Sequence, residues 1–242
     1  MTGGERGDLR VLERMRTAWH NTDVVPSVPR RMVIVAGWAL RKGEERLVDA
    51  RYRRSGLETA GPDFDQFDGT STRRGYVATD WRVLRKVFDQ VPIGPDDVLL
   101  EYGAGRGRVV VWAMSRFPVR RIVGVERDPD LAAAAQANLD RWRGPRRCRD
   151  VSIVCADAQE FPVPDDVTLV YLFNPFMGEV FDQVVTRIGE SLARRPRTVR
   201  VIYFYPIMHD SLIDAGFTLE RHHRHVLYAW ATYGIGGAAT TP

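Results

Sequence analysis

Val98-Leu99-Leu100-Glu101-Tyr102-Gly103-Ala104-Gly105-Arg106-Gly107-Arg108 is the stretch that decides the fold. Three apolar residues predict a short buried strand, and the residues from Arg106 to Phe117 predict a helix. Between them, glycines alternate with other residues at 103, 105 and 107. A glycine-rich turn from strand into helix lets the backbone approach a ligand, while the first helical amides stay free as donors. The spacing discriminates between ligands. A dinucleotide loop, G-x-G-x-x-G, needs glycine at 108, and this chain has arginine there. The pattern is instead Glu-x-Gly-x-Gly-x-Gly, with the acid two residues before the first glycine.

Downstream of this stretch, strand and helix signals alternate. Strands are predicted at Arg121–Val125, Val151–Cys155, Val167–Phe173 and Thr198–Phe204. Helices are predicted from Asp128, as N-cap with Pro129 at the first position, through Trp142, then over Glu179–Arg194 and His209–Ala215. Phe217–Arg221 and Val226–Tyr233 close the pattern as a hairpin. Strands separated by helices imply a parallel sheet covered on both faces. The fold class is therefore α/β: a Rossmann-like, seven-stranded, mostly parallel sheet with an antiparallel terminal strand. Upstream, helical spacing is read over Asp8–His20, over Arg30–Arg54 with a break at Gly43, and over Asp80–Val91. Gly61–Thr70 reads as loop. The expected organisation is a helical N-terminal extension over 1–94, a core over 95–234 and a short tail over 235–242.

Bulk properties narrow the class. The chain has 242 residues, 44% hydrophobic and 27% charged, long enough to bury a core without disulfides or metal. Net charge is +4, and only Lys42 and Lys86 among the 35 basic residues are lysines. The arginines read as spread along the chain, without the clustered patch that marks a nucleic-acid binder. Cys148 and Cys155 fit no zinc or redox spacing, and Cys155 in its apolar run reads as a buried thiol. No metal site is expected; His222-His223-Arg224-His225 reads as the solvated turn of the last hairpin. The longest apolar run, Met32–Leu40, falls short of the ~20 residues that span a bilayer, and a cytoplasmic location without membrane contact is the default expectation.

The glycine pattern with its leading acid resembles motif I of the class I S-adenosylmethionine (SAM)-dependent methyltransferases, including bacterial members with Gly-x-Gly-Lys-Gly-Arg at this place. The resemblance covers about 64–232, with Arg106 at the lysine position and Arg108 at the arginine. It implies SAM as cofactor and S-adenosylhomocysteine as product. Gly103, Ala104, Gly105 and Gly107 would wrap the methionine part, with Glu101 near its amino group. Glu126, at the end of the second strand and ~20 residues on, would accept the ribose hydroxyls, with Arg127 beside it. Asp157, after the third strand and next to Ala158, would lie near the adenine amine.

Asn174-Pro175-Phe176, after the fourth strand, resembles the Asn-Pro-Pro-Phe motif of amino-group methyltransferases, with one proline fewer. It implies that Asn174 and Pro175 position the acceptor, that Asn174 also borders the cofactor, and that Phe176 is a wall for substrate. His209, after the fifth strand, is the best-placed base. Phe67 and Tyr76 belong to an aromatic segment that reads as a substrate lid. The expected reaction is methylation of nitrogen or oxygen on a small molecule or peptide. RNA or protein methylation and a non-catalytic SAM-binding protein are the alternatives, and a nicotinamide dehydrogenase is opposed by Arg108.

Overall fold

The computed structural model describes residues 43–59, 76–225 and 228–236. The helix expected over 8–20, the loop over 61–70, Phe67 and the tail beyond 236 lie outside the described residues. In chain order the elements are α1 (43–54), α2 (Trp81–Phe88), β1 (Val98–Tyr102), α3 (Arg108–Arg116), β2 (Arg121–Glu126), α4 (Pro129–Arg141) and β3 (Asp150–Cys155). These are followed by β4 (Leu169–Phe173), α5 (Glu179–Arg194), β5 (Val199–Phe204), α6 (His209–Asp214), β6 (Thr218–His225) and β7 (Tyr228–Ile235).

Seven strands form one sheet in the order β3-β2-β1-β4-β5-β7-β6. All neighbours are parallel except β5–β7 and β6–β7, which are antiparallel. This is the expected Rossmann-like α/β sheet. From β1 the chain winds outward through β2 and β3, then returns to β4 on the other side of β1. The reversal opens a crevice at the carboxyl ends of β1 and β4, where ligands bind in open α/β sheets.

Alternation along the strands builds two cores. Leu99, Ile122, Leu169, Tyr171, Ile202 and Phe204 face one side, with α2 and α3. Val98, Leu100, Tyr102, Val123, Val170 and Val201 face the other, with α5. The upstream segment is part of the first core. Leu57, Trp81 and Leu84 are buried in it, and Tyr52 of α1 stacks on Trp81 at 4.2 Å and on Trp142 at 5.7 Å. Such ring pairs add about 0.5–1.5 kcal/mol each beyond burial.

Helix termini follow local chemistry. Asp128 caps α4 by accepting from Asp130 and Leu131 amides, with Pro129 inside the first turn. Asp80 caps α2 in the same way.

Three expectations are corrected. His222, His223 and His225 belong to β6, an edge strand that pairs with β7, and not to a turn, and His223 stacks on Trp230 at 5.5 Å. Cys155 is exposed, because β3 is the other edge. The fourth strand starts at Leu169, two residues later than expected, just after Thr168, whose side chain donates to Asp97 and accepts from the Val98 amide. Among the described residues no group of His, Cys, Asp and Glu forms a metal-binding set, and no helix is long and apolar enough to cross a membrane.

Gly124 marks the closest approach of α3 to the sheet. A Cβ there would stand 2.8 Å from Val110 Cγ2 and 3.0 Å from Ala104 Cβ. Gly124→Ala is expected to overpack this seam and to cost about 1–3 kcal/mol, read as a lower urea midpoint. An unchanged midpoint would show slack between α3 and β2.

Candidate functional site

The glycine loop leaves β1 at Tyr102 and enters α3 at Arg108. Gly105 and Gly107 take φ of 53° and 76°, a left-handed conformation that is free of steric cost only for glycine. The loop is tied to the end of β2. The Gly103 and Ala104 amides donate to the Val125 carbonyl at 2.9 and 3.0 Å, and the Gly105 amide donates to Glu126 Oε2 at 2.7 Å. Glu126 Oε1 accepts from the Asp128 amide at 2.9 Å, so this carboxylate links the loop to the start of α4. Above the loop, the Tyr76 ring lies where a Cβ on Gly105 would stand, and the Tyr76 hydroxyl donates to the Thr59 carbonyl at 2.6 Å. Burial pushes that hydroxyl up to about 12.

The three acids sit at three strand ends. Glu101 is almost fully buried. Its Oε2 is buried without a hydrogen-bond partner among the described residues. Burial, and after it the charge of Glu126, raise the Glu101 carboxyl well above the usual carboxylate range. Asp157 Oδ1 accepts from the Gln159 amide at 3.0 Å, and its carbonyl accepts from Glu160 and Phe161, which shapes the turn after β3. Ala158 in that turn is buried, whereas Arg127 is exposed and its carbonyl accepts from the Cys155 thiol.

The turn after β4 meets the glycine loop directly. A Cβ on Gly103 would stand 2.8 Å from Pro175 Cβ. Asn174 is buried, takes a left-handed φ of 43°, which asparagine tolerates, and its Oδ1 accepts from the Tyr203 hydroxyl at 3.3 Å. Tyr205, after β5, is also left-handed, and its ring stacks on Phe173 at 5.9 Å.

Two expected site residues are placed differently. Phe176 is a core side chain packed between Tyr102 and Phe181, so its ring faces are not open to a substrate. His209 Nδ1 is 2.9 Å from the Tyr233 hydroxyl, on the sheet face opposite Tyr171.

Two residues that hold the site were missed. Arg108 is 4% exposed, and its guanidinium donates to Glu45, to Asp49 at 2.9 Å, to Thr59 Oγ1 at 2.9 Å and to the Thr79 carbonyl at 2.9 Å. It also lies 4.4 Å over the Trp81 ring. Asn138 of α4 pairs with both the amide and the carbonyl of Glu58, and donates to the Arg106 carbonyl in the glycine loop at 2.9 Å. Both therefore fasten the upstream segment to the loop. The sequence marked Arg108 as the motif arginine and as a charge starting the apolar run Val109-Val110-Val111, but gave neither residue a partner. Desolvation raises Glu45 to about 7, against the opposing pull of Arg108.

A family model described as a methyltransferase domain matches residues 99–195. A protein-lysine N-methyltransferase of Saccharolobus islandicus is 32% identical over 66 residues, 27% of this chain and 41% of that protein. Ribosomal RNA small subunit methyltransferase A of an Arthrobacter species is 32% identical over 97 residues, 39% of this chain and 32% of that protein. The chain thus spans less than half the length of these curated relatives. Among solved structures, a SAM-dependent methyltransferase of Mesorhizobium loti shares the fold with a TM-score of 0.51 at 13% identity, over 65% of this chain and 98% of that one.

Arg108→Met would leave Glu45 and Asp49 without their cation. We expect a loss of about 3 kcal/mol or more in urea melts, with earlier protease cleavage in 43–59; wild-type behaviour would remove Arg108 from this role. The folded chain keeps the Glu45 proton to about 7, whereas the unfolded chain releases it near 4.5. The stability from this group is full below pH 4.5 and is lost as pH rises to about 7. Glu45→Gln should make the pH dependence of stability shallower across that window; an unaltered slope would contradict it.

Proposed function

We propose that this chain, whose residues 99–195 match a methyltransferase-domain family model, is a class I SAM-dependent enzyme that transfers the SAM methyl group to a nitrogen acceptor brought to Asn174. The observation that carries this reading is the packing of Gly103 on Pro175, which sets the cofactor loop against the acceptor turn.

The residues fit the cofactor. Carboxylates at the ends of β1, β2 and β3 supply acceptors for amines and hydroxyls, and the buried Oε2 of Glu101 is a polar atom awaiting a partner. In this reading the glycine loop holds the methionine part, Glu126 the ribose and the Asp157-Ala158 turn the adenine, with Tyr76 as a wall. SAM brings an electrophilic sulfonium methyl, and the protein's share is orientation. The Asn174 side chain and the Pro175 carbonyl accept hydrogen bonds from an N–H acceptor, so that its lone pair points along the line of transfer. An amine nitrogen needs no base to be nucleophilic, whereas a hydroxyl does. With His209 engaged by Tyr233, nitrogen is the better match.

Asn174→Gly keeps the left-handed turn and deletes the side chain, while Asn174→Asp keeps an acceptor. With labelled SAM, the glycine variant should transfer methyl about 100-fold more slowly, and the aspartate variant should recover part of the rate. Equal rates in all three would end Asn174's assignment. Glu126→Ala should weaken SAM binding by about 1–3 kcal/mol, and unaltered affinity would remove Glu126 from the ribose role.

A further inference from the structure

Against the expectation that the arginines are spread along the chain, the fold sets a run of five beside three from about 90 residues upstream. Arg51, Arg53 and Arg54 are exposed at the end of α1, and five further exposed arginines fall between 141 and 149. These two segments meet. The Arg143 amide donates to the Ser55 carbonyl at 2.8 Å, Gly56 packs on the Arg141 carbonyl, and Tyr52 stacks on Trp142. Some other exposed arginines are paired with carboxylates, as in Arg82–Glu44, Arg116–Asp89 and Arg194–Asp165. None of these eight forms an ion pair among the described residues. The exposed carboxylates beside them in sequence are Glu58, Asp140 and Asp150.

Helix-end chemistry accounts for part of the group. Arg143 and Arg146 donate to the Asp140 and Leu139 carbonyls near the end of α4, and Arg141 donates to Asn138. It does not account for Arg53, Arg54, Arg147 and Arg149. One end of the surface lies near the site, whereas Arg147 and Arg149 lie toward the end of α3 and the start of β3. Asn138 bonds the glycine loop through the Arg106 carbonyl, and Arg141 stands one helical turn, about 5 Å, further along α4.

We infer that this arginine surface docks the phosphate backbone of an RNA whose unpaired base nitrogen is the methyl acceptor, a substrate class that rests on the methyl-transfer reading above. Guanidinium forks match phosphate oxygens, and a surface built from arginine rather than lysine favours that geometry. An unpaired RNA loop offers a base to Asn174 without the cost of extracting it from a duplex.

The test is fluorescence anisotropy of the full chain with a labelled RNA stem-loop, over a salt series and without SAM. This readout does not depend on transfer, so failure here is separable from failure of the methyl-transfer reading. The wild type should bind, with log affinity falling linearly with log salt. R53Q/R54Q/R147Q/R149Q should bind roughly tenfold or more weakly and lower the salt slope by up to about 3, at ~0.7 per lost contact. SAM affinity and melting temperature should stay at wild-type values. If the quadruple variant fails to fold, R147Q/R149Q should still lower the slope, by about half as much. Wild-type RNA affinity in the variants would overturn the inference. Tighter binding of duplex DNA of the same sequence, or of polyglutamate at equal charge, would overturn it in favour of another polyanion.

Discussion

A buried guanidinium has to be neutralised and its donors satisfied, and at Arg108 that requirement decides where the first part of the chain goes. The residue starts α3, directly after the glycine loop, and is almost wholly buried. Its partners come from α1 and from the two segments that precede α2. Removing such a cation strands its carboxylates, whereas satisfying it fixes one arrangement out of many. Asn138 repeats the logic from the α4 side, pairing with Glu58 like a strand neighbour while holding the Arg106 carbonyl. The upstream helices are thus fastened to the very loop that the family resemblance assigns to the cofactor.

The rest of the site follows from the sheet. Because β1 lies between β2 and β4, the loop after β1 has the Glu126 carboxylate on one flank and the Asn174 turn on the other. The first flank contributes charge and hydrogen-bond acceptors, and the second a buried asparagine held in an unusual backbone conformation. Glu101 adds a buried carboxyl next to Glu126, whose charge adds to the cost of ionising it.

How much of this was legible in the sequence depends on range. The glycine loop, the acids at strand ends and the Asp128-Pro129 helix start are local patterns, and the sheet follows from strands alternating with helices. The partners of Arg108 lie 29 to 63 residues away and those of Asn138 up to 80, so neither network leaves a local trace. Phe176 carries no mark that separates a substrate wall from a core ring; its packing on Tyr102 and Phe181 decides. The histidines of β6 read as a turn because an edge strand need not alternate cleanly between apolar and polar residues. Five arginines of the surface lie in one window, 141–149, and only their meeting with Arg51, Arg53 and Arg54, about 90 residues upstream, is a tertiary product.

The most direct measurement is a calorimetric titration of the full chain with SAM, S-adenosylhomocysteine and NAD in turn. The account predicts saturable heat at one site for the first two and none for NAD, because Arg108 occupies the position where a dinucleotide loop needs glycine. Binding of NAD with no binding of SAM would contradict it.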